Sequence, residues 1–213
     1  MRIKVCGMRE SENLNQLLEL QPDYVGFIFY ETSPRFVGET FDAEQVRNIP
    51  RWIKKVGVFV NASIEHIVRT VRKYNLDYVQ LHGEETPDFC RNLQFKGINI
   101  IKAFAIDEAF NFSKLNNYKP HCDFFLFDTK TATVGGSGTA FDWTLLNRYD
   151  NDKPFFLAGG ISLANVEQVG ELLNLKLHAI DINSKFEISP GVKDIEKIRQ
   201  LMTKLNPVEE EVE

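Results

Sequence analysis

Along this chain, short apolar runs alternate with longer stretches in which apolar residues recur every three or four positions. The runs at residues 3–6, 24–29, 55–60, 78–81, 98–105, 124–128, 154–158 and 177–182 are rich in β-branched and aromatic side chains, and they predict eight strands. Between them lie helical patterns. Leu14, Leu17, Leu18 and Leu20 follow Ser11, and Ile64, Ile67, Val68 and Val71 follow Ser63. Each serine is placed to cap a helix, its hydroxyl accepting from an N–H left without a partner in the first turn. Ile195, Ile198, Leu201 and Met202 close the series at helical spacing over 194–205.

Most of the strand runs, such as "YVGFIF" and "FFLF", are apolar throughout rather than alternating, as expected of strands covered on both faces of a parallel sheet. Eight strand–helix units share 213 residues, and no Pro/Gly/Ser-rich linker or shift of composition divides them. Roughly 27 residues per unit suits a small (β/α)8 barrel. The expected fold is α/β, a single (β/α)8 TIM barrel over 1–206, followed by a solvated acidic tail at 207–213. The rival, a doubly wound open sheet, would carry a glycine-rich dinucleotide fingerprint after its first strand, where Cys6-Gly7-Met8 stands instead.

Composition narrows the chemistry. A chain that is 43% hydrophobic and 26% charged is ordinary for a globular protein, and a net charge of −5 offers no basic face to nucleic acid. Any anionic ligand must therefore be held by local groups. No apolar stretch reaches the length of a bilayer span and the first residues lack a signal-type apolar region, so a cytoplasmic location without membrane attachment is expected. Cys6, Cys90 and Cys122 are odd in number and lack CxxC spacing, which argues for reduced thiols and against a zinc site. His66, His121 and His178 show no ligand spacing, and no metal is assigned to them.

In a barrel of this kind the chemistry sits where strands end and in the loops that follow. Strand one ends in Cys6 and strand six in Asp128; strand two is followed by Arg35 and strand four by His82. Gly136 and Gly138 follow strand six, Gly159 and Gly160 follow strand seven, and Asp181, Asn183, Ser184 and Lys185 stand at the end of strand eight. Clustered glycines bring backbone N–H groups close to an anion, and helix starts add the positive end of their dipoles. Glycine pairs also make plain tight turns, but three neighbouring loops agree on a phosphate site.

Asp128 leaves an apolar strand, so desolvation is expected to raise its carboxyl and leave it a proton to donate near neutral pH; a turn-capping carboxylate is the bland alternative. A cysteine inside a strand is ordinarily core. Cys6 instead sits at a strand exit before a glycine and a helix start, where a helix N-terminus favours the thiolate, so its thiol is expected to be lowered. Cys90 and Cys122 are read as structural. Strands one and six lie three steps apart around the ring at roughly 4.8 Å per step, close enough to face one another across a small sugar. Arg35, beside the strand of Cys6 and away from the phosphate side, suits bidentate pairing with a second anionic group such as a carboxylate, unless it is a surface residue after a turn. His82 orients a ligand or closes a turn.

The segments "KVCGM", "SPRFV", "QLHG", "FDT", "GGSGTAFDW", "LAGGI" and "PGVKD", spread over nearly the whole chain, resemble phosphoribosylanthranilate isomerase of tryptophan biosynthesis. The resemblance implies a cofactor-free barrel performing an Amadori rearrangement of N-(5′-phosphoribosyl)anthranilate to 1-(2-carboxyphenylamino)-1-deoxyribulose 5-phosphate. It implies Asp128 as the acid that opens the furanose ring, Cys6 as the base at C2′ and Arg35 on the anthranilate carboxylate. It further implies Gly136, Gly138, Gly160 and Ser184 around the phosphate, with His82, Gly159, Asp181, Asn183 and Lys185 completing the binding set. One departure stands out: where the family reads Asp-x-x-Ser-Gly-x-Glu, this chain has Lys185 in place of the glycine. Either the local backbone differs or the ammonium supplements the phosphate site. The alternative function is a phosphosugar-binding barrel that is non-catalytic or of different specificity; a non-catalytic one would be expected to lose Cys6 or Asp128, and both are present. The expected partner is the small substrate alone, and a monomer is expected, with a homodimer as the alternative.

Overall fold

The computed structural model describes residues 1–39, 41–129 and 142–205. Eight parallel strands, β1 (Arg2–Cys6), β2 (Tyr24–Ile28), β3 (Lys54–Phe59), β4 (Tyr78–Leu81), β5 (Ile100–Ile106), β6 (Phe124–Thr129), β7 (Phe155–Leu157) and β8 (Leu177–Ile182), close into a barrel in chain order. The seam is made by β1 and β8, with Lys4 opposite Asp181. The expected acidic tail and the 130–141 segment, which carries Gly136 and Gly138, lie outside the described residues.

Helices α1 (Ser11–Glu19), α2 (Ala43–Arg47), α3 (Ile64–Tyr74) and α4 (Pro87–Gln94) follow the first four strands, and α5 (Ile195–Leu205) closes the chain. Ser63 caps α3 by accepting from the His66 amide, as expected. Ser11 does not cap α1: it is the first helical residue, and Glu10 before it makes no side-chain cap. Among the described residues after β5, β6 and β7, 3-10 segments at Phe112–Asn117, Trp143–Arg148 and Val166–Leu172 stand where α-helices are expected. Six or seven residues repay helix nucleation poorly, and Asn116, Asn117 and Gly170 weaken the propensity further. Beyond β8 the chain makes an unanticipated hairpin, β9 (Glu187–Ser189) and β10 (Val192–Lys193), turning at Pro190-Gly191.

The barrel wall separates two apolar regions. Val5, Phe27, Val79, Phe125, Leu157 and Ile180 face outward into the core shared with the helices. Val56, Ile101, Leu126, Phe156 and Ala179 fill the interior. At its lower end the interior is shut by four rings from alternate strands, Tyr24, Tyr78, Phe124 and His178. Successive centroids lie 6.1, 5.9, 4.3 and 5.8 Å apart around the circuit. Four side chains from alternate strands make one interior layer of such a barrel. Phe156 packs on Tyr24, Phe124 and His178.

Strand starts are tied together at the same end. Asp23, Asp77 and Asp123, each just before an even-numbered strand, accept from the backbone N–H of Ile3, Lys55 and Ile100 at 2.8, 2.8 and 2.7 Å. Each satisfies a donor that the pleat leaves at the beginning of the preceding strand. At the opposite end, Lys102 on β5 donates to Glu85 and to the carbonyls of Leu81 and Gly83, while Glu85 accepts from the Gly83 and Asn61 amides. That buried pair organises the loop that carries His82.

Candidate functional site

The strands open at their C-terminal ends into a cavity of about 790 Å³, counting its solvent-filled mouth. Cys6, Gln80, His82, Asp128, Asp181 and Asn183 give it a polar wall, with Ile28, Val58 and Val60 on the apolar side. Gly159, Gly160, Ser184 and Lys185 line it as well. Arg35 does not. Of the candidates named from the sequence, the cavity thus gathers all but Arg35 and the two glycines outside the described residues.

Cys6 stands on the inner face of β1, two residues above Lys4. Its sulfur is pressed between strands: a Cβ built on Gly26 of β2 would lie 2.8 Å from Sγ. The expected lowering of its thiol is not found. Helix α1 begins five residues further on, and burial pushes the Cys6 thiol up, with Lys4 and then Lys193 working against that effect and Asp181 adding to it. Cys90 and Cys122 lie in the outer core.

Asp128, at the end of β6, is not enclosed as its apolar strand suggested, for one fifth of its side chain is exposed. One oxygen, Oδ1, accepts from the Thr129 amide at 2.8 Å, and Oδ2 lies 3.2 Å from His82 Nε2. His82 Nδ1 in turn faces the Gln80 amide nitrogen at 2.8 Å. A donor at Nδ1 leaves the ring proton on Nε2, aimed at Asp128. The oxygen of that amide, Gln80 Oε1, is buried without a partner among the described residues, as is Asp181 Oδ1. Both are acceptors on the cavity wall, suited to a hydroxyl or an N–H of a ligand.

Arg35 meets a carboxylate, but one supplied by the fold. Its Nε and Nη2 fork onto Glu187 of β9 at 2.7–3.0 Å, leaving Nη1 outside that pairing. Lys193 of β10 donates to Glu187 and to Asn183, both at 2.6 Å. Burial alone would raise Glu187, but Arg35 and Lys193 hold its carboxyl below the usual range. Gly7 makes room for this network beside Cys6: at φ +81 it takes a left-handed conformation, and a Cβ there would lie 2.9 Å from both Arg35 Cδ and Asn183 Oδ1. The hairpin that supplies Glu187 and Lys193 was not read from the sequence, although "PGVKD" contains its turn and one of its charges.

On the β7 side, Gly159 and Gly160 have φ of +83 and +68. A Cβ on Gly159 would lie 2.6 Å from the Thr129 amide nitrogen and 2.8 Å from Asp128 Oδ1, so the chain passes directly behind the carboxyl. Asn165 clamps this turn, donating to the Gly160 carbonyl at 3.0 Å and accepting from the Ser162 amide at 2.8 Å. Lys185 does not take up a left-handed backbone in the glycine position; among the described residues the non-glycine ones with positive φ are Gln21, Asn61, Asn75 and Asn151. Its turn, Ser184–Phe186, borders the cavity. Among the described residues no cluster of His, Cys, Asp and Glu is suited to a metal ion.

Comparison with known proteins agrees with this geometry. The N-(5′-phosphoribosyl)anthranilate isomerase family matches residues 3–204. A curated relative of that name from Parabacteroides distasonis is 44% identical over 211 residues, covering 96% of this chain and 93% of its own. Among solved structures, phosphoribosyl anthranilate isomerase from Thermus thermophilus superposes with a TM-score of 0.82 at 30% identity over 96% of this chain and 98% of that one. Another, solved in complex with reduced 1-(o-carboxyphenylamino)-1-deoxyribulose 5-phosphate, superposes at 0.78 and 30% identity, covering 98% of this chain and all of that one. Barrel shape alone is less selective, since 3-hexulose-6-phosphate synthase still reaches 0.64 at 12% identity. With the match running from the first strand to the last helix, this chain belongs to the N-(5′-phosphoribosyl)anthranilate isomerase family.

Proposed function

We propose that this chain isomerises N-(5′-phosphoribosyl)anthranilate in tryptophan biosynthesis, with Asp128 as general acid and Cys6 as general base. The observation that carries this assignment is that a thiol from β1 and a carboxyl from β6 line one cavity, with the paired glycines of the β7 loop between them. Asp128 protonates the furanose ring oxygen and the C1′–O bond breaks, leaving a Schiff base between C1′ and the anilino nitrogen. The Cys6 thiolate then removes the C2′ proton. The C–H electron pair forms the C1′=C2′ bond of an enolamine, and the nitrogen recovers its lone pair. Ketonisation then adds a proton at C1′ as the enol hydroxyl gives up its own, so atoms and electrons balance and no redox partner is needed.

Phosphate binding is assigned to the loops of Gly159, Gly160, Ser184 and Lys185, whose left-handed glycines and mouth position support it. Gly136 and Gly138 complete that set from outside the described residues. Arg35, its Nη1 not taken by Glu187, is assigned to the anthranilate carboxylate. A phosphorylated substrate does not cross a bilayer unaided, which supports a cytoplasmic place of work. A monomer is favoured because, among the described residues, the large exposed apolar side chains, Trp52, Phe95, Leu173 and Ile188, come from four separate segments.

The test is turnover of freshly generated phosphoribosylanthranilate, followed by loss of anthranilate-type fluorescence. Rapid decay is expected with the wild type. Cys6→Ser and Asp128→Asn are each expected to lose at least about a hundredfold in kcat while still binding product. Tight binding of product without decay by the wild type would favour a binding-only barrel.

A further inference from the structure

The mechanism leaves unused a buried charge that adjoins its base. Lys4 is fully enclosed inside the barrel, where a lysine is rare unless it is paired. Its Nζ donates to Asp181 Oδ2 at 2.8 Å across the β1–β8 seam, and Cys6 stands two residues further along the same inner face of β1. Below it lie the interior packing and the ring of Tyr24, Tyr78, Phe124 and His178, so its partners are on the cavity side. If Lys4 served only to hold the seam, an apolar side chain would do as well, since a buried ion pair rarely outperforms good packing.

The base it adjoins needs help. Cys6 is surrounded by few charges: Lys4 on its own strand, Asp181 on β8 and Lys193 on β10. On the β2 side its sulfur faces the backbone of Gly26. Across the mouth, His82 and Asp128 act on Asp181. Burial opposes ionisation of the thiol, and Lys4 is the strongest influence in the other direction. The ammonium itself, although burial works against it, is held above the ordinary lysine range by Asp181 and Cys6.

We propose that Lys4 is a positioning residue for the base, its ammonium anchored by Asp181 and serving as the counter-ion of the Cys6 thiolate. The inference rests on Cys6 being the base, but the first part of its test needs no turnover. When Cys6 ionises, Lys4 stands between two anions; when the sulfur takes the C2′ proton, the ammonium is left with Asp181 alone. One cation thus serves a carboxylate permanently and a thiolate once per cycle.

The experiment measures the rate at which iodoacetamide alkylates Cys6 in the full-length protein as a function of pH, read on the Cys6 peptide, with Cys6→Ser as the blank. In Lys4→Met the midpoint is expected to move at least about one unit toward alkaline pH, the scale of losing an opposite charge at close range. In Asp181→Asn it is expected to move the other way, because the anion beside the sulfur is gone while the amide oxygen can still accept from Lys4. The ascending limb of kcat/KM should follow each displacement. A seam held merely for structure would not move the two in opposite senses. An unchanged midpoint in Lys4→Met, or both variants moving the same way, would overturn the proposal. If Lys4→Met does not fold, Lys4→Gln/Asp181→Asn keeps a hydrogen-bonded neutral pair and is still expected to move alkaline, the nearer cation having outweighed the carboxylate; no movement there overturns it equally. Alkylation midpoints that shift as expected beside a kcat/KM profile that ignores them would uphold the Lys4–Cys6 coupling and sink the reading of Cys6 as base.

Discussion

Asp128 offers its two oxygens to different partners, the Thr129 amide and the His82 ring, and His82 is itself steered by Gln80. The carboxyl proposed as the acid therefore has a fixed direction before any substrate arrives. Removing the Gln80 amide frees the imidazole to rotate and to change tautomer. Gln80→Leu is expected to lower kcat/KM about tenfold, the worth of one charge-assisted hydrogen bond of about 1.4 kcal/mol, in steady-state kinetics on the fluorescent substrate. At this scale the sequence is informative about identity and poor about environment. Cys6 and Asp128 can be picked out because they end apolar runs, and His82 because it stands at the next such exit. The charges that govern the thiol cannot be picked out so easily: Lys4 sits within a strand, and Lys193 is more than 180 positions away. That is why a lowered thiol was expected and a raised one is found.

Among the elements, the strands are legible and the helices only half so. Continuous apolar runs mark β1 to β8 to within a residue or two at either end. Helical periodicity is legible at α1, α3 and α5, whereas β5, β6 and β7 are followed by 3-10 segments too short for that regularity. A further regularity is open to inspection but easily passed over: Asp23-Tyr24, Asp77-Tyr78 and Asp123-Phe124 each place a strand-tying carboxylate beside a ring of the barrel floor. Its meaning depends on pairing between strands, which a linear reading does not display. The buried pair Lys102–Glu85 is equally non-local in effect, for Glu85 gathers the amides of Asn61 and Gly83 below His82. Glu85→Ala strands the Lys102 ammonium and two backbone donors. It is expected to cost about 3 kcal/mol or more in denaturant unfolding. Activity in the surviving fold should fall as well, because the His82 loop loses its anchor.

For the molecule as a whole, the floor of the barrel sets a limit on acid stability. His178 accepts or donates within 2.6 Å of Tyr24 Oη and lies among Phe124 and Phe156. Burial, assisted by Arg2, pushes its imidazole down to about 4 from an ordinary 6.5. The unfolded chain therefore takes up the proton first. Stability from this group is fully present above about pH 6.5 and is lost as pH falls from there toward about 4. The Tm of the wild type should fall between about pH 7 and about pH 5 more steeply than that of His178→Phe, which has no proton to bind at that position.

With Tyr24, Tyr78, Phe124 and His178 shutting its lower end, the barrel is a blind alley. Substrate, product and water share the doorway at the mouth, and a seated ligand corks the thiol behind it. A hydrogen lifted from C2′ by the proposed base, Cys6, has nowhere to go while the cork is in place except back to the molecule that gave it. Deuterium placed at C2′ should accordingly survive in part through a single turnover, reappearing on C1′ of the product instead of washing out completely into the solvent.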